Sequence, residues 1–403
     1  MSKSNATKSS RRRFLAGAAA TAGIAATGGF VPARFAIGQQ AKLKLGLMLP
    51  YTGTFASLGN NITDAFKLAV NQAGGKLGGR ELTYVQLDDE SDPAKATANI
   101  NKLIVGENVD FVIGTVHSGV ALGMVKVARE EEAMLIIPNA GAGAATGEQC
   151  APTVFRTSFT NWQPAFPMGN VMLKDGHKKV VAMYWKYAAG LEFAGGFKDS
   201  FLAGGGAIVK EIQVDFPTVE FQAHLTEIAS LKPDAVYVFF AGGGALKYVK
   251  DYAAAGLKDK IPLYGSGFLT DGVLAGQGAA AEGIKTTLHY ADGLDLPANL
   301  KFRAAFKGAT NREADVYAVQ GYDTGQLLIK ALGAVKGDVK ARKDLIKAME
   351  TAEIDSPRGK WTMSKAHNPI QDIYLRQVQN GKEVVLGVAH KALADPAKGC
   401  KMA

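Results

Sequence analysis

The chain has 403 residues, enough for more than one apolar core, and carries 46 Lys and Arg against 37 Asp and Glu. Much of that basic excess precedes residue 41, where Lys3, Lys8, Arg11, Arg12, Arg13 and Arg34 meet no acid. Without those six cations the balance is 40 to 37, which removes the main support for a nucleic-acid partner. Ser10-Arg11-Arg12-Arg13-Phe14-Leu15 is similar to a twin-arginine export motif, and the uncharged run from Phe14 to Phe30 follows it as an apolar signal core does. Val31-Pro32-Ala33 then offers small residues for cleavage, so residues 1–41 are expected to be a removable signal, with the mature chain starting between Arg34 and Lys42. The run is short and weakly apolar for a span of ~20 residues. No Cys precedes Cys150 to carry a lipid anchor. The mature product is therefore expected to be periplasmic and soluble. Cys150 and Cys400, the only cysteines, can form one disulfide pinning the C-terminal tail or remain two free thiols. No Cys/His cluster suggests a metal, and no cofactor is expected.

From residue 43 onward, short apolar runs alternate with amphipathic stretches. Leu43–Leu49, Leu82–Leu87, Phe111–Ile113 and Met134–Ile137 read as strands. Between them Ile62, Ala65, Phe66, Ala69 and Val70 keep the spacing of a helix with one buried face, as does Ala94–Val105. A second series follows at Val180–Tyr184, Ile208–Val214, Ala235–Phe240 and Ile261–Tyr264. Strand, helix, strand, stated twice, predicts an α/β chain of two doubly wound parallel-sheet lobes. After residue 284 come helices at Asn299–Phe306, Asp315–Leu332 and Arg342–Met349, then strands at Gln371–Gln379 and Glu383–Leu386 joined by an Asn380-Gly381 hairpin turn.

In such sheets ligands sit beyond the carboxyl ends of the strands, where helix N-termini aim N–H groups into a crevice. Ser118 opens the helix that runs to Glu131, so its hydroxyl can receive a carboxylate, although by itself that position is more often that of a Ser capping its own helix. His117 beside it reads as a cleft or capping residue. A serine hydrolase is disfavoured, since adjacent residues on such a turn do not face each other and no Gly-x-Ser-x-Gly surrounds Ser118. Gly141-Ala142-Gly143-Ala144-Ala145-Thr146 approximates a dinucleotide fingerprint, but it lacks the third Gly and follows a late strand, which argues against a dehydrogenase.

Five blocks in order, Leu45 to Gly53, Phe111 to Gly114 with Ser118, Ile136 to Ala140, Phe155-Arg156-Thr157 and Gly321-Tyr322-Asp323, make the chain resemble the periplasmic branched-chain amino acid binding proteins. That type I bilobed family also includes amide and aromatic-acid receptors. The resemblance implies the solute-binding subunit of an ABC importer, not an enzyme, working as a monomer with membrane permease partners. A ligand-sensing receptor domain of the same fold is the alternative. It also implies three chain crossings, with lobe 1 formed by residues 42–159 and 268–357 and lobe 2 by 160–267 and 358–403. Ser118 would contact the ligand carboxylate, Ala140 and Gly141 would match the next binding loop, and Tyr187 would close over the ligand. Phe55, Leu58 and Phe268 would flank the pocket, with Gly243 in Gly242-Gly243-Gly244 leaving it roomy. Amino-acid binders of the family often place a Glu for the ammonium after the strand that ends here at Tyr264. This chain reads Gly265-Ser266-Gly267-Phe268, with no acid before Asp271. A buried ammonium without a counter-charge is costly. The expected ligand is thus a small carboxylate without an α-amine, an aromatic acid ahead of a branched-chain amino acid or amide.

Overall fold

The computed structural model describes residues 41–403, so the expected export signal lies outside the described residues except for Ala41. Its first sheet holds β1 (Leu43–Leu49), β2 (Lys76–Leu77), β3 (Arg80–Asp88), β4 (Phe111–Ile113), β5 (Leu135–Ile137) and β6 (Val154–Arg156) in the order β2-β3-β1-β4-β5-β6. All pairings are parallel except the β2–β3 hairpin. The helices between are α1 (Ala56–Gln72), α2 (Pro93–Asn101), α3 (Ser118–Glu130) and the short α4 (Gly143–Thr146). The wholly apolar β4 and β5 are buried throughout because helices cover both faces of the sheet. Ile100, Val120 and Met124 pack on one face, and Phe66, Val70 and Leu328 on the other. Asp92 starts α2 by accepting from Ala94 N at 2.9 Å, with Pro93 at the first helical position, where its missing N–H costs nothing.

The second lobe follows with α5 (Trp162–Lys174), β7 (Lys179–Lys186), α6 (Ala188–Ala203), β8 (Ala207–Asp215), α7 (Gln222–Leu231), β9 (Ala235–Phe239), α8 (Gly242–Ala254), β10 (Leu263–Ser266), α9 (Leu274–Gln277) and β11 (Lys285–Leu288). The chain then returns to the first lobe as α10 (Pro297–Thr310), α11 (Val316–Ala334) and α12 (Arg342–Glu350), of which α10 and α11 pack on α1. It ends in the second sheet as β12 (Thr362–Met363), β13 (Pro369–Gln379) and β14 (Lys382–Leu393). That sheet runs β12-β13-β11-β10-β9-β7-β8, with β14 paired to β13. Its parallel core β8-β7-β9-β10-β11 repeats the order β3-β1-β4-β5-β6 of the first. Each lobe is therefore doubly wound, with a switch point between β1 and β4 in one and between β7 and β9 in the other.

One expected boundary is corrected. The return to lobe 1 does not fall at Phe268, because β11 is still a strand of the second sheet, paired with β10 and β13; it falls between β11 and α10. Lys285-Thr286-Thr287-Leu288 is short and polar at three of its four positions, so periodicity does not mark it. Thr287 is nevertheless buried, its hydroxyl donating to the Pro164 carbonyl at 2.6 Å. The three-residue β6 is equally silent in the sequence pattern.

Cys150, between α4 and β6, is bonded to Cys400 with Cα atoms 5.5 Å apart, so the tail beyond β14 is tied to the first lobe across a separation of 250 residues. Closing so long a loop restricts the unfolded chain strongly. Cys150→Ser is expected to lower the unfolding free energy by about 2–4 kcal/mol. Urea titration of wild type and variant measures this, and equal midpoints would mean that the bond contributes nothing.

Candidate functional site

The two sheets present the carboxyl ends of their strands to one crevice, and the crevice is shut. The largest apolar cluster runs without a break from Leu49, Phe55, Leu58 and Val116 of lobe 1 into Trp185, Phe193 and Phe239 of lobe 2. Phe55 stands edge-on to Trp185 at 6.2 Å, and His117 stacks on Tyr187 at 4.6 Å. Gly242, at φ +53°, lets α8 meet lobe 1, since a Cβ there would lie 2.7 Å from the Thr54 carbonyl oxygen.

At this junction lies a narrow cavity of about 20 Å³, lined by both lobes. Lobe 1 contributes Phe55, Leu58, Val116, Ser118, Asn139 and Gly141, the segment after β6 adds Phe159 and Asn161, and Tyr317 reaches in from α11. Lobe 2 supplies Tyr187, Ala189, Phe193, Phe239, Ala241 and Phe268. The walls are aromatic. Phe193 stacks on Phe239 at 3.9 Å, Phe159 leans on Phe268 at 4.9 Å, and Phe268 meets Tyr317 at 5.8 Å. Among the described residues that line the cavity none is charged. Its polar equipment is Ser118, Asn139, Asn161, the two tyrosine hydroxyls and the starts of α6 and α8. Neither α6 nor α8 is capped by a side chain, so the first-turn N–H groups beside Ala189 and Ala241 have no side-chain partner. The Tyr317 hydroxyl is buried without a hydrogen bond.

The loop carrying Ser118 is held from below and from the side. Thr115 donates its hydroxyl to Asp89, whose carboxyl burial pushes up to about 6. His117, rather than Ser118, caps α3: its Nδ1 accepts from Gly119 N at 3.1 Å and Val120 N at 3.4 Å. The ring is 3 % exposed, and burial pulls its pKa down to about 4, so at neutral pH it is uncharged with its proton on Nε2. Ser118 is thereby released from capping. Its Oγ accepts from Asn161 Nδ2 at 3.2 Å, which leaves the hydroxyl proton free to be given. His117 and Ser118 form no nucleophile–base pair, because the imidazole acceptor is already engaged by its own helix.

Asn161 Nδ2 also donates to Glu192 Oε2 at 2.7 Å, and Glu192 accepts from Gly143 N at 3.0 Å. Burial raises the Glu192 pKa, while Asn161, the Gly143 N–H and the Arg156 guanidinium favour its anion. Arg156 is fully buried and braces the surrounding loops through the carbonyls of Ala142, at 2.6 Å, and Phe159, at 3.3 Å.

The sequence profile described as periplasmic binding protein matches residues 42–383. The chain belongs to the periplasmic binding protein family. A curated relative, Leu/Ile/Val-binding protein homolog 6 of Brucella melitensis, is 30 % identical over 343 residues, 83 % of this chain and 87 % of its own length. The crystal structure of an ABC transporter solute binding protein from R. palustris in complex with benzoate is 56 % identical, with a TM-score of 0.88 over 90 % of this chain and all of that one. Another solute binding protein, from Rhodopseudomonas palustris BisB5 in complex with 3,4-dihydroxybenzoic acid, is 32 % identical with a TM-score of 0.84 over 88 % of this chain and 99 % of that one. In this periplasmic binding protein no helix among the described residues is long and apolar enough to cross a membrane.

Of the residues singled out from sequence, the fold brings Phe55, Leu58, Ser118, Gly141, Tyr187 and Phe268 to the cavity wall. His117 stands behind Ser118 as its helix cap. Ala140 is turned into the lobe 1 core and Gly243 is exposed, so neither lines the cavity. The glycine run does not make the pocket roomy, because a Cβ on Gly244 would enter the Trp185 indole and Gly242 abuts Thr54. Gly141 is needed for closeness as well, since its Cβ would meet the Phe159 ring and the Asn161 side chain. Asp271 accepts from Arg376 Nη1 at 2.5 Å and from Val316 N at 3.2 Å, which occupies the first acid after β10. Phe159 and Asn161 were missed because β6 was not recognised as a strand, which hid the loop at its carboxyl end. Tyr317 and Phe193 lie inside helices and carry no local signal.

Because folding depresses the His117 pKa, the unfolded chain binds more protons between about pH 6.5 and 4. The stability that His117 contributes is complete above the unfolded value and is lost as pH falls through this window, up to about 3 kcal/mol. His117→Asn, which keeps a capping acceptor but cannot titrate, is expected to flatten the loss of melting temperature over that range. Parallel slopes for variant and wild type would exclude this role.

Proposed function

We propose that this periplasmic binding protein is the extracytoplasmic solute-binding subunit of an ABC importer and that its ligand is a small aromatic carboxylate, taken up by closure of the two lobes over it. The observation that carries the reading is an uncharged, aromatic-walled cavity whose polar groups are neutral donors. A flat ring would pack against the aromatic wall of Phe159, Phe193, Phe239 and Phe268, side chains that must part to receive it. Its carboxylate would lie at Ser118, where the free hydroxyl proton and the uncapped N-terminal end of α6 supply donors. Donors already held in place cost little further ordering. Micromolar capture needs about 8 kcal/mol, which a few charge-assisted hydrogen bonds and one desolvated ring supply in order of magnitude.

Amino acids are disfavoured by the same inventory. An α-ammonium would enter a cavity without an anion, since Asp271 is paired with Arg376 and both Glu192 oxygens face Gly143 N and Asn161. The 56 % identical relative solved with benzoate supports this choice of ligand class. Ser118, Asn161, Tyr187 and Phe268 are assigned as ligand contacts, and the protein acts as a monomeric periplasmic carrier that presents its closed form to permease subunits.

Isothermal titration of the mature protein with benzoate and with leucine tests the reading. Benzoate should bind, and at about 100 times its Kd it should stabilise the fold by about 2.7 kcal/mol, whereas leucine should leave the melting temperature unchanged. Ser118→Ala should weaken benzoate about 10- to 100-fold without lowering the melting temperature of the unliganded protein. Tighter binding of leucine than of benzoate would overturn the assignment.

A further inference from the structure

Glu192 sits on α6, within one turn of the cavity-lining Ala189, yet it does not line the cavity. Its carboxylate reaches across the crevice to lobe 1, accepting from Gly143 N at 3.0 and 3.2 Å and from Asn161 Nδ2 at 2.7 Å. The same Asn161 nitrogen donates to Ser118 Oγ at 3.2 Å. An ionised carboxylate has no hydrogen to give, so whatever meets it must donate. Asn161 must therefore turn its NH₂ group toward Glu192, with one hydrogen on the carboxylate and the other on Ser118 Oγ. With that lone pair engaged, the Ser118 hydroxyl proton has to point elsewhere, and the cavity is the space Ser118 borders.

We propose that Glu192 is a positioning residue that biases the hydrogen-bond polarity of the ligand site: through Asn161 it occupies one acceptor position of Ser118 and turns the hydroxyl proton away from that amide, so the site accepts an anionic oxygen in preference to an isosteric group that bears hydrogens. The proposal rests on the carboxylate reading above and adds the origin of its selectivity. Because Glu192 belongs to lobe 2 and Gly143 and Ser118 to lobe 1, the relay is complete only when the lobes are closed. In the open protein Asn161 is free to present either end of its amide. Selectivity is then imposed at closure and is read in the release rate, since a ligand that cannot accept from Ser118 leaves the closed form strained by an unsatisfied buried donor.

Benzoate and benzamide are close in shape and differ in charge and in one acceptor oxygen replaced by an NH₂ donor, so the change of their affinity ratio between variants reports polarity rather than fit. Titration of the mature wild type, Glu192→Gln and Glu192→Ala with both compounds, together with stopped-flow release of benzoate, provides the test. Glutamine keeps the length but can also donate, which lets Asn161 turn over. Both variants should reduce the preference for benzoate over benzamide by about tenfold, through faster benzoate release, with the melting temperature of the unliganded protein unchanged. An unchanged ratio in both variants, or an equal loss of affinity for the two compounds, would make Glu192 a plain inter-lobe clamp and overturn its polarity role. If Glu192→Gln does not unfold cooperatively, Glu192→Ala is read alone on the same two criteria. Failure of the wild type to bind benzoate would instead bring down the carboxylate reading itself, and this inference with it.

Discussion

A cavity without formal charge can hold an anion only if water is kept out and its donors are already aimed, and in this protein both conditions depend on the contact between the two lobes. That contact is apolar and continuous. Phe55 and Leu58 meet Trp185 and the start of α8 without a gap, because glycine at 242 and 244 brings the helix against its partners. Exclusion of water strengthens each hydrogen bond within and raises the cost of leaving any donor unused. The aromatic shell is thus part of the electrostatics of the site as well as its shape.

The chain places its charges elsewhere, in pairs. Arg376 is fully buried between Asp271 and Glu383, and Arg358 lies against Asp323. Both groups sit near the passages between lobes: Asp271 also accepts from Val316 N at the head of α11, and Arg358 donates to the carbonyls of Thr157 and Ser158 just after β6. Buried pairs of this kind contribute little net stability, but removing one partner is costly, so they define where the connecting segments lie. Around the cavity the same chemistry appears in diluted form, with Glu192 and Arg156 braced by backbone groups and amides behind the wall. A ligand there would meet oriented dipoles and hydroxyls, and a carboxylate would bring a formal charge into a cavity whose described lining has none.

His117 and Ser118 illustrate how a local motif changes meaning in context. Serine before a helix is ordinarily its cap, yet here the imidazole takes that duty and the serine is freed for other work. The exchange requires a neutral histidine, and the Tyr187 ring stacked on His117 at 4.6 Å contributes to the burial that keeps it neutral. The second lobe therefore bears on the loop that carries Ser118 through the packing of Tyr187 on His117.

The sequence by itself determined the alternation of strand and helix, the two doubly wound lobes, the family, and those wall residues that follow strands marked by uninterrupted apolar runs. Phe55, Ser118, Tyr187 and Phe268 were legible for that reason, since the carboxyl end of a parallel strand is a fixed place in the fold. Only the tertiary structure decided what depends on neighbours distant in the chain. It placed the polar β11 in the second sheet by pairing it with β13, and so moved a lobe boundary. It joined Cys150 to Cys400 across 250 residues and filled the space beside Gly244 with Trp185. It also brought Asn161, Glu192 and Tyr317 to one site. Hydrophobic periodicity records which face of an element is buried; it carries no information on which buried face meets which other, and hydrogen bonds between lobes exist only after that meeting.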